Sequence, residues 1–253
     1  MPIKKEVVIG DCRLLLGDCL EIMPTLDKVD CVVTDPPYEL SDPCPGKSHH
    51  FGTGLSKFDS EDFKAIVSGV DYGELIGQLS GVCRPYNGFV FCSNRQISKL
   101  MRICEMNGYS TTLLVWHKTN SVPFANSVWR GDIEYCVHAR GKGAVFNGGA
   151  IEHTKVTAHP IVQDAAHPTV KPMAVILKYM KICSNPGQYV LDPFLGSGTT
   201  GVACAKLGRK FVGIELEERY FDIACERISK AYDQPDMFVG QPAPRPVQAG
   251  LSL

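Results

Sequence analysis

The chain has 253 residues, of which 44% are hydrophobic and 21% are charged, and its formal net charge is −1. This composition is typical of a soluble globular protein and excludes disordered, fibrous and membrane chains. The first residues include two lysines but no long apolar stretch, so neither an export signal nor a membrane span is expected. The near-zero charge also argues against a protein that coats DNA by bulk electrostatics.

The charged residues are unevenly distributed along the chain. Residues 1–83 carry 7 basic and 14 acidic side chains, residues 84–187 carry 12 and 5, and residues 188–253 carry 7 and 8. The middle block therefore has a net charge of +7. Such a block indicates either a solvated helix face or a surface for a polyanion.

Eleven cysteines are scattered singly, with no Cys-x-x-Cys pair. Without an export signal, this pattern indicates reduced thiols in a cytoplasm, most of them packed as small hydrophobic side chains. No metal site is predicted, because a zinc site needs clustered ligands.

Apolar β-branched runs alternate with longer helical patterns, which predicts an α/β fold with a largely parallel, twisted sheet flanked by helices. Strands are expected at residues 29–34, 88–92, 112–116, 134–138, 189–192 and 211–215. Helices are expected at about 61–82, 95–107, 172–183, 199–207 and 217–231. Residues 1–232 are predicted to form one domain, followed by a Pro-rich flexible tail at 233–253.

A glycine-rich turn lies in the C-terminal third of the chain. Residues 189–201 read YVLDPFLGSGTTG, so that a strand leads into Gly196, Gly198 and Gly201, and Glu215 ends the next predicted strand. Glycines permit a tight turn and close approach to a ligand, while the acid accepts hydrogen bonds from ribose hydroxyls. The pattern fits NAD, FAD or S-adenosylmethionine and excludes a P-loop, because no lysine follows the glycines.

A second motif follows the strand at 29–34, where the sequence reads Asp35-Pro36-Pro37-Tyr38. Consecutive prolines fix an extended backbone at the carboxyl edge of the sheet, where α/β enzymes hold ligands. Asp35 and the Pro36 carbonyl are suited to accept both hydrogens of an amino group while Tyr38 stacks on a planar nitrogen base.

Together the two motifs strongly resemble those of the DNA amino-methyltransferases, which use S-adenosylmethionine to methylate adenine N6 or cytosine N4. The tetrapeptide precedes the glycine turn, an order similar to that of the permuted subgroup called the β class. Three further segments agree, namely GDCL at 17–20, HPTVKP at 167–172, and GIE at 213–215 followed by ERY at 218–220. The resemblance spans about residues 14–230 and implies a Rossmann-like methyltransferase fold.

The resemblance implies S-adenosylmethionine as the cofactor and assigns roles to individual residues. The implied catalytic residues are Asp35, Pro36, Pro37 and Tyr38. The implied cofactor contacts are Asp18, Cys19, Asp35, His167, Lys171, Pro172, Asp192, Phe194, Gly196, Ser197, Gly198, Thr199, Thr200 and Glu215.

The implied reaction is methyl transfer to N6 of an adenine flipped out of duplex DNA. Cytosine N4 is the alternative target, although that group more often has Ser-Pro-Pro-Tyr where this chain has Asp35. The motifs also leave open an RNA or protein methyltransferase, in which the cofactor loop usually comes first, and a non-catalytic DNA-binding regulator. A NAD-linked oxidoreductase would leave residues 35–38 without a role.

The expected partners are double-stranded DNA, a second copy of the chain and a cognate restriction endonuclease, with no membrane. Candidate recognition segments lie near residues 39–60, 119–133 and 139–166. The +7 block predicts a basic face beside the Asp35 cleft, with a DNA affinity that falls steeply with salt.

Overall fold

The computed structural model describes residues 2–38, 70–121, 131–149, 152–161 and 171–233. Nine strands lie in these residues: β1 (Lys5–Ile9), β2 (Cys12–Leu16), β3 (Cys31–Thr34), β4 (Asn87–Cys92), β5 (Ser110–Lys118), β6 (Ile133–Arg140), β7 (Val156–His159), β8 (Tyr189–Asp192) and β9 (Lys210–Glu215). They form one sheet in the order β1-β2-β9-β8-β3-β4-β6-β5-β7.

The described residues also contain six α-helices: α1 (Cys19–Ile22), α2 (Tyr72–Val82), α3 (Ile97–Met106), α4 (Met173–Cys183), α5 (Thr199–Leu207) and α6 (Glu218–Asp233). A 3-10 turn at Met23–Thr25 follows α1. Within the part of the chain that the structure describes, no helix combines the length and apolar character needed to cross a membrane.

The centre of the sheet is parallel and buried. β3 pairs in parallel with β4 on one side and with β8 on the other, and all four of its residues are buried. A strand covered on both faces favours a continuous apolar run, as in CVVT, over an alternating pattern. Parallel pairing continues through β9 to β2, whereas β1 with β2 and β6 with β4 and β5 pair antiparallel.

Helices cover both faces of this sheet. On one face α4, α5 and α6 pack in a core that includes Tyr179 and Val33. On the other face α1, α2 and α3 pack in a core that includes Leu79 and Val32. Neighbouring residues of β3 therefore point into opposite cores, as the two-residue period of a strand requires.

The chain connections diverge between β3 and β8. From β3 the chain passes through α2 to β4 on one side, and from β8 it passes through α5 to β9 on the other. In open α/β sheets, ligands bind outside the carboxyl ends of strands at such a switch point. The fold therefore predicts a ligand site at the residues that follow β3 and β8.

The predicted elements are confirmed where the structure describes them. All six predicted strands are present, with ends within two residues of the expected ones. In the described part of the first predicted helix, α2 begins at Tyr72, because Asp71 caps it by accepting hydrogen bonds from the backbone of Gly73 and Glu74. Residues 39–60, 61–69 and 234–253 lie outside the described residues.

Three strands are not predicted from the sequence. β1 and β2 form a hairpin around Gly10, whose φ of 54° lies in the left-handed region that favours glycine. β7 lies within residues 141–170, where the sequence shows no periodicity and no regular structure is expected, and it pairs in parallel with β5 at the edge of the sheet. That prediction is wrong for Val156–His159, a strand too short for its periodicity to be detected.

Candidate active site

Asp35 follows the carboxyl end of β3 and is held by groups on both of its oxygens. Tyr38 Oη donates to Asp35 Oδ1 at 2.9 Å, and Lys171 Nζ donates to Asp35 Oδ2 at 2.5 Å. The Asp35 side chain is 31% exposed, whereas Lys171 is 8% exposed. Pro36 is buried and has no backbone donor, so it cannot extend the ladder of β3 beyond Asp35. The Asp35 carboxylate is thus fixed in orientation and remains partly exposed to solvent.

Four charged side chains form what we call the ion-pair row: Asp35, Lys171, Glu134 and Lys118. Lys171 Nζ lies 3.0 Å from Glu134 Oε2, and Lys118 Nζ lies 2.8 Å from Glu134 Oε1. The Glu134 side chain is only 21% exposed. The row brings together the end of β3, the start of β6, the end of β5 and the residues before α4.

Burial disfavours the charged forms of the side chains in the ion-pair row, and the neighbouring charges determine the direction in which each pKa shifts. Burial raises the pKa of Asp35, a rise that Lys171 opposes and Glu134 reinforces. For Glu134 the effect of burial is outweighed by the two ammonium groups, so its pKa is lowered. For Lys171 burial is outweighed by the two carboxylates, so its pKa is raised and it is protonated at neutral pH.

A cavity of about 720 Å³ opens beside Tyr38. Its lining includes Asn94 after β4, together with Lys118, Asp132 and Glu134. Ligand pockets typically have volumes of about 300–1,000 Å³ and place a few polar groups around an apolar surface. This cavity therefore has room for a planar base beside an aromatic ring, with polar groups at its rim.

The glycine turn between β8 and α5 has the backbone that its residues predict. The φ angles of Gly196 and Gly198 are 52° and 78°, in the left-handed region. A Cβ on Gly198 would lie 2.9 Å from the Cβ of Ala224, and a Cβ on Gly201 would collide with the Ile228 side chain. The glycines therefore allow both the turn and the close packing of α5 on α6.

Asp192 links the glycine turn to β3. Its Oδ1 accepts from Thr34 Oγ1 at 2.7 Å and from the Phe194 backbone at 3.2 Å, and its Oδ2 accepts from Thr200 Oγ1 at 2.7 Å. Burial raises the pKa of Asp192 to about 7, despite these hydrogen bonds, which favour the ionised form. Because Thr34 directly precedes Asp35, this carboxylate fixes the turn relative to Asp35.

Glu215 lies at the end of β9 beside residues 17–19. Its Oε2 accepts from the Gly196 backbone at 2.7 Å, and its Oε1 accepts from the backbone of Leu216 and Glu217 at 2.9 and 3.0 Å. The backbone N–H of Gly17 donates to the Glu215 carbonyl at 2.8 Å. Burial raises the pKa of the Glu215 carboxyl.

The other predicted residues surround these groups. Asp18 is exposed and caps α1 by accepting from the Leu20 backbone at 2.8 Å, and Cys19 is buried behind it. Ser197 and Thr199 are buried at the start of α5, where Arg227 donates to the Ser197 carbonyl at 2.5 Å. The buried Pro172 precedes α4.

The structure thus gathers the predicted site residues along one edge of the sheet, except for His167, which lies outside the described residues. Sequence reasoning missed Glu134, Lys118 and Arg227. The available signal was a charged residue at the end of an otherwise apolar strand, as at Lys118, or at the beginning of one, as at Glu134.

The predicted basic face beside Asp35 stays a prediction. Lys118 and Lys171 lie beside Asp35, but both are paired with carboxylates. Arg140 pairs with the first residue of β4 and so lies at the opposite edge of the sheet, because β6 runs antiparallel. With Lys155 and Lys178, Arg140 lines a second cavity of about 280 Å³.

Comparison with known proteins settles the family. A family model described as DNA methylase, which covers N6 and N4 methyltransferases, matches residues 29–226. The chain belongs to the DNA methylase family.

The methylase is similar to curated proteins and to solved structures over most of its length. The Type II methyltransferase M.HinfI of Haemophilus influenzae is 27% identical over 88% of this chain and 70% of that protein. For M2.LlaDCHI of Lactococcus lactis subsp. cremoris, the identity is 28% over 81% of this chain and 83% of that protein.

Two crystal structures show the same fold. The M1.HpyAVI-SAM complex matches with a TM-score of 0.67 and 28% identity over 86% of this chain and 98% of that chain. The cytosine-N4-specific PvuII DNA methyltransferase matches with a TM-score of 0.68 over 91% of this chain and 95% of that chain, at 16% identity. The latter likeness concerns the fold alone.

The DNA methylase uses S-adenosylmethionine, and the chemistry of the site fits that cofactor. The Glu215 carboxylate has three backbone donors, fewer than the about four that an ionised carboxylate accepts, and it is only partly buried. Leu216 beside it is 50% exposed, which provides an apolar surface for a ring. The start of α5 favours an anionic group such as the methionine carboxylate.

Proposed function

We propose that the methylase transfers the methyl group of S-adenosylmethionine to N6 of an adenine turned out of duplex DNA. The observation that carries the proposal is the Asp35 carboxylate, which is anchored by Tyr38 and Lys171 next to the cavity of about 720 Å³. The aspartate at the first position of the tetrapeptide supports adenine, because cytosine-N4 enzymes more often have serine there.

Asp35 and the Pro36 carbonyl activate the target nitrogen by accepting its two hydrogens. An adenine amino nitrogen is a poor nucleophile because its lone pair is delocalised into the ring. Two hydrogen bonds to fixed acceptors favour a pyramidal nitrogen and direct its lone pair away from the ring. Bound S-adenosylmethionine supplies an electrophilic methyl group. The nitrogen loses one proton overall, and the Asp35 carboxylate is the nearest group to accept it.

The cofactor-binding residues divide into those that contact the cofactor and those that shape its site. We assign Glu215 to the ribose hydroxyls, Cys19 to the adenine end, and the turn at 196–200 to the methionine end. Asp192 already serves three donors, so we assign it to holding the turn. Asp18 likewise shapes the site by capping α1.

The wider arrangement follows from the same proposal. Residues 1–232 form the catalytic domain of a cytoplasmic enzyme. Similarity to Type II methyltransferases supports a pairing with a cognate restriction endonuclease. A homodimer would supply additional surface for DNA recognition.

The proposal is tested by transfer of a tritiated methyl group from S-adenosylmethionine to duplex DNA, followed by nucleoside analysis. The expected product is N6-methyladenine. N4-methylcytosine would overturn the adenine assignment, and absence of label in DNA of varied sequence would overturn the proposal as a whole.

The role of Asp35 is tested with Asp35→Ala. We expect methyl transfer to fall by about 10²- to 10⁴-fold, because the acceptor for the amino group is lost. Binding of S-adenosylmethionine, measured by calorimetry, is expected to persist. The control is Glu105→Gln on α3, where the carboxylate accepts from Thr111 at an exposed position. Full activity of Asp35→Ala would contradict the mechanism.

A further inference from the structure

The ion-pair row contains one carboxylate that the proposed mechanism does not use. Glu134 lies near the start of β6, between Lys171 Nζ at 3.0 Å and Lys118 Nζ at 2.8 Å. Its neighbour Ile133 is 41% exposed, so solvent is close to this part of the strand. The Glu134 side chain nevertheless turns inward and is 21% exposed. An inward-facing charge is costly unless partners compensate it.

The contacts of Glu134 with Lys118 and Lys171 indicate its role. Lys118 Nζ and Lys171 Nζ each form an ion pair with a different Glu134 oxygen. The well-aligned hydrogen bond of Lys171 goes to Asp35. Glu134 therefore attracts the Lys171 ammonium without taking the hydrogen bond that orients Asp35.

The row is also balanced in charge, with two carboxylates and two ammonium groups. Without the Glu134 charge, Asp35 would be the one carboxylate left in the row, and the buried Lys171 would be repelled by the half-buried Lys118. Lys171 is one of only two side chains in the described residues that hydrogen-bond to Asp35, the other being Tyr38. Displacement of Lys171 would leave Asp35 Oδ2 unanchored beside the cavity.

We propose that Glu134 is a positioning residue for methyl transfer, which holds Lys171 against Asp35 and is itself held by Lys118. This inference rests on the proposed function only in that Asp35 receives an amino group, and it applies equally to adenine and cytosine.

The acidity of Asp35 provides a signature of this role. The titratable groups that influence Asp35 come from several elements: Tyr38 after β3, Lys171 before α4, Glu134 and Cys136 on β6, Cys92 on β4, and Asp192 at the end of β8. Of these, Glu134 raises the pKa of Asp35 and Lys171 lowers it. Removal of the Glu134 charge with Lys171 still in place would lower the pKa of Asp35, whereas displacement of Lys171 as well removes the larger, opposing influence and should raise that pKa.

The experiment compares Glu134→Gln with wild type in steady-state methyl transfer across pH. We expect kcat at pH 8 to fall by about 10- to 100-fold, because small displacements of a catalytic group have effects of that order, while KM for DNA changes little. Activity requires ionised Asp35, so displacement of Lys171 should move the acid limb of the kcat profile to higher pH in the variant. Lys118→Met should reduce kcat by a smaller factor.

Two further variants make the test decisive. Glu105→Gln serves as the matched control and should leave kcat and the acid limb unchanged. Glu134→Asp retains the charge but shortens the side chain, so its kcat should fall while its acid limb stays near that of wild type. If Glu134→Gln does not fold, Glu134→Asp decides the question, and a wild-type kcat in that variant would overturn the inference.

The outcomes also separate this inference from the proposed function. A folded Glu134→Gln with wild-type kcat, or with an acid limb that does not move to higher pH, overturns the positioning role and leaves the methyltransferase assignment intact. If wild type produces N4-methylcytosine, the adenine assignment fails. A reduced kcat and a shifted acid limb with that substrate would still support the role of Glu134.

Discussion

The carboxylates at the two halves of the active edge are stabilised in different ways. In the catalytic half, Asp35 and Glu134 face the ammonium groups of Lys171 and Lys118. In the cofactor half, Asp192 and Glu215 accept hydrogen bonds from hydroxyls and backbone N–H groups. Among the ion pairs found in the described residues, none involves Asp192 or Glu215.

The difference shows what each kind of partner achieves. Two lysines compensate the charge of Glu134, whose pKa is lowered despite burial, whereas Asp35 has one lysine and the nearby Glu134 charge, and its pKa is raised. Neutral donors fix orientation but compensate less charge, so the pKa of Asp192 rises to about 7. The catalytic half therefore depends on charge balance, whereas the cofactor half depends on close packing and protonation.

The largest expected effect comes from removing the cation of the catalytic half. Lys171→Met leaves Asp35 and Glu134 without their shared ammonium, and we expect the free energy of unfolding at pH 8 to fall by about 3–5 kcal/mol. The pKa of each carboxyl in the folded state should then lie above its unfolded value, so stability is lost as pH rises and regained as pH falls. Urea unfolding between pH 5 and 8 measures this.

Lys178→Met on α4 is the control for that measurement, because Lys178 donates to the oxygens of Thr154 and Thr157 and has no carboxylate partner among the described residues. Its effect should not depend on pH in this range. An equal loss at every pH in Lys171→Met would contradict the dependence on charge balance.

In the cofactor half, Asp192→Asn should have the opposite dependence on pH. The folded pKa of about 7 exceeds the ordinary 3.8, so the folded protein retains a proton that the unfolded chain releases. Wild-type stability therefore decreases as pH rises from about 4 to about 7, by at most about 4 kcal/mol. Relative to wild type, the variant should gain stability over that range. A difference that is constant with pH would show that Asp192 is ionised throughout.

The packing of the cofactor half is tested by Gly198→Ala. The added methyl group meets Ala224, and alanine is disfavoured at a φ of 78°. We expect a loss of about 2–3 kcal/mol in the free energy of unfolding. Gly77→Ala on α2 is the matched control, since a Cβ there meets nothing within 4 Å, and it should gain about 0.5–1 kcal/mol. Equal effects of the two substitutions would argue against the tight α5–α6 contact.

The smallest expected effect is that of Glu215→Gln on cofactor affinity. Loss of the charge weakens hydrogen bonds from ribose hydroxyls, and the Kd for S-adenosylmethionine should rise about tenfold. Calorimetry on the folded variant measures this, with Glu217→Gln at the exposed neighbouring position as control. An unchanged Kd would remove Glu215 from the cofactor site.

Sequence alone predicts the cofactor half better than the catalytic half. Gly196 and Gly198 are required by local backbone geometry, so their spacing is visible in the chain. The ion-pair row depends instead on the neighbours of β6, since Glu134 meets Lys118 only because β5 and β6 pair antiparallel, with Trp116 opposite Glu134. Periodicity indicates strands but not their order. The β1–β2 hairpin could have been predicted, because Gly10-Asp11 between two apolar runs is a turn signal.

The contact of α5 with α6 makes substitutions on α6 affect the glycine turn of this methylase. Ala224 and Ile228 lie on α6, yet they occupy the space that Gly198 and Gly201 leave open. Enlarging Ala224 would push on the same turn that shapes the cofactor site. A library selected for methylation should therefore show α6 positions as sensitive as the glycine turn, and a map of tolerated substitutions would mark this helix as functional.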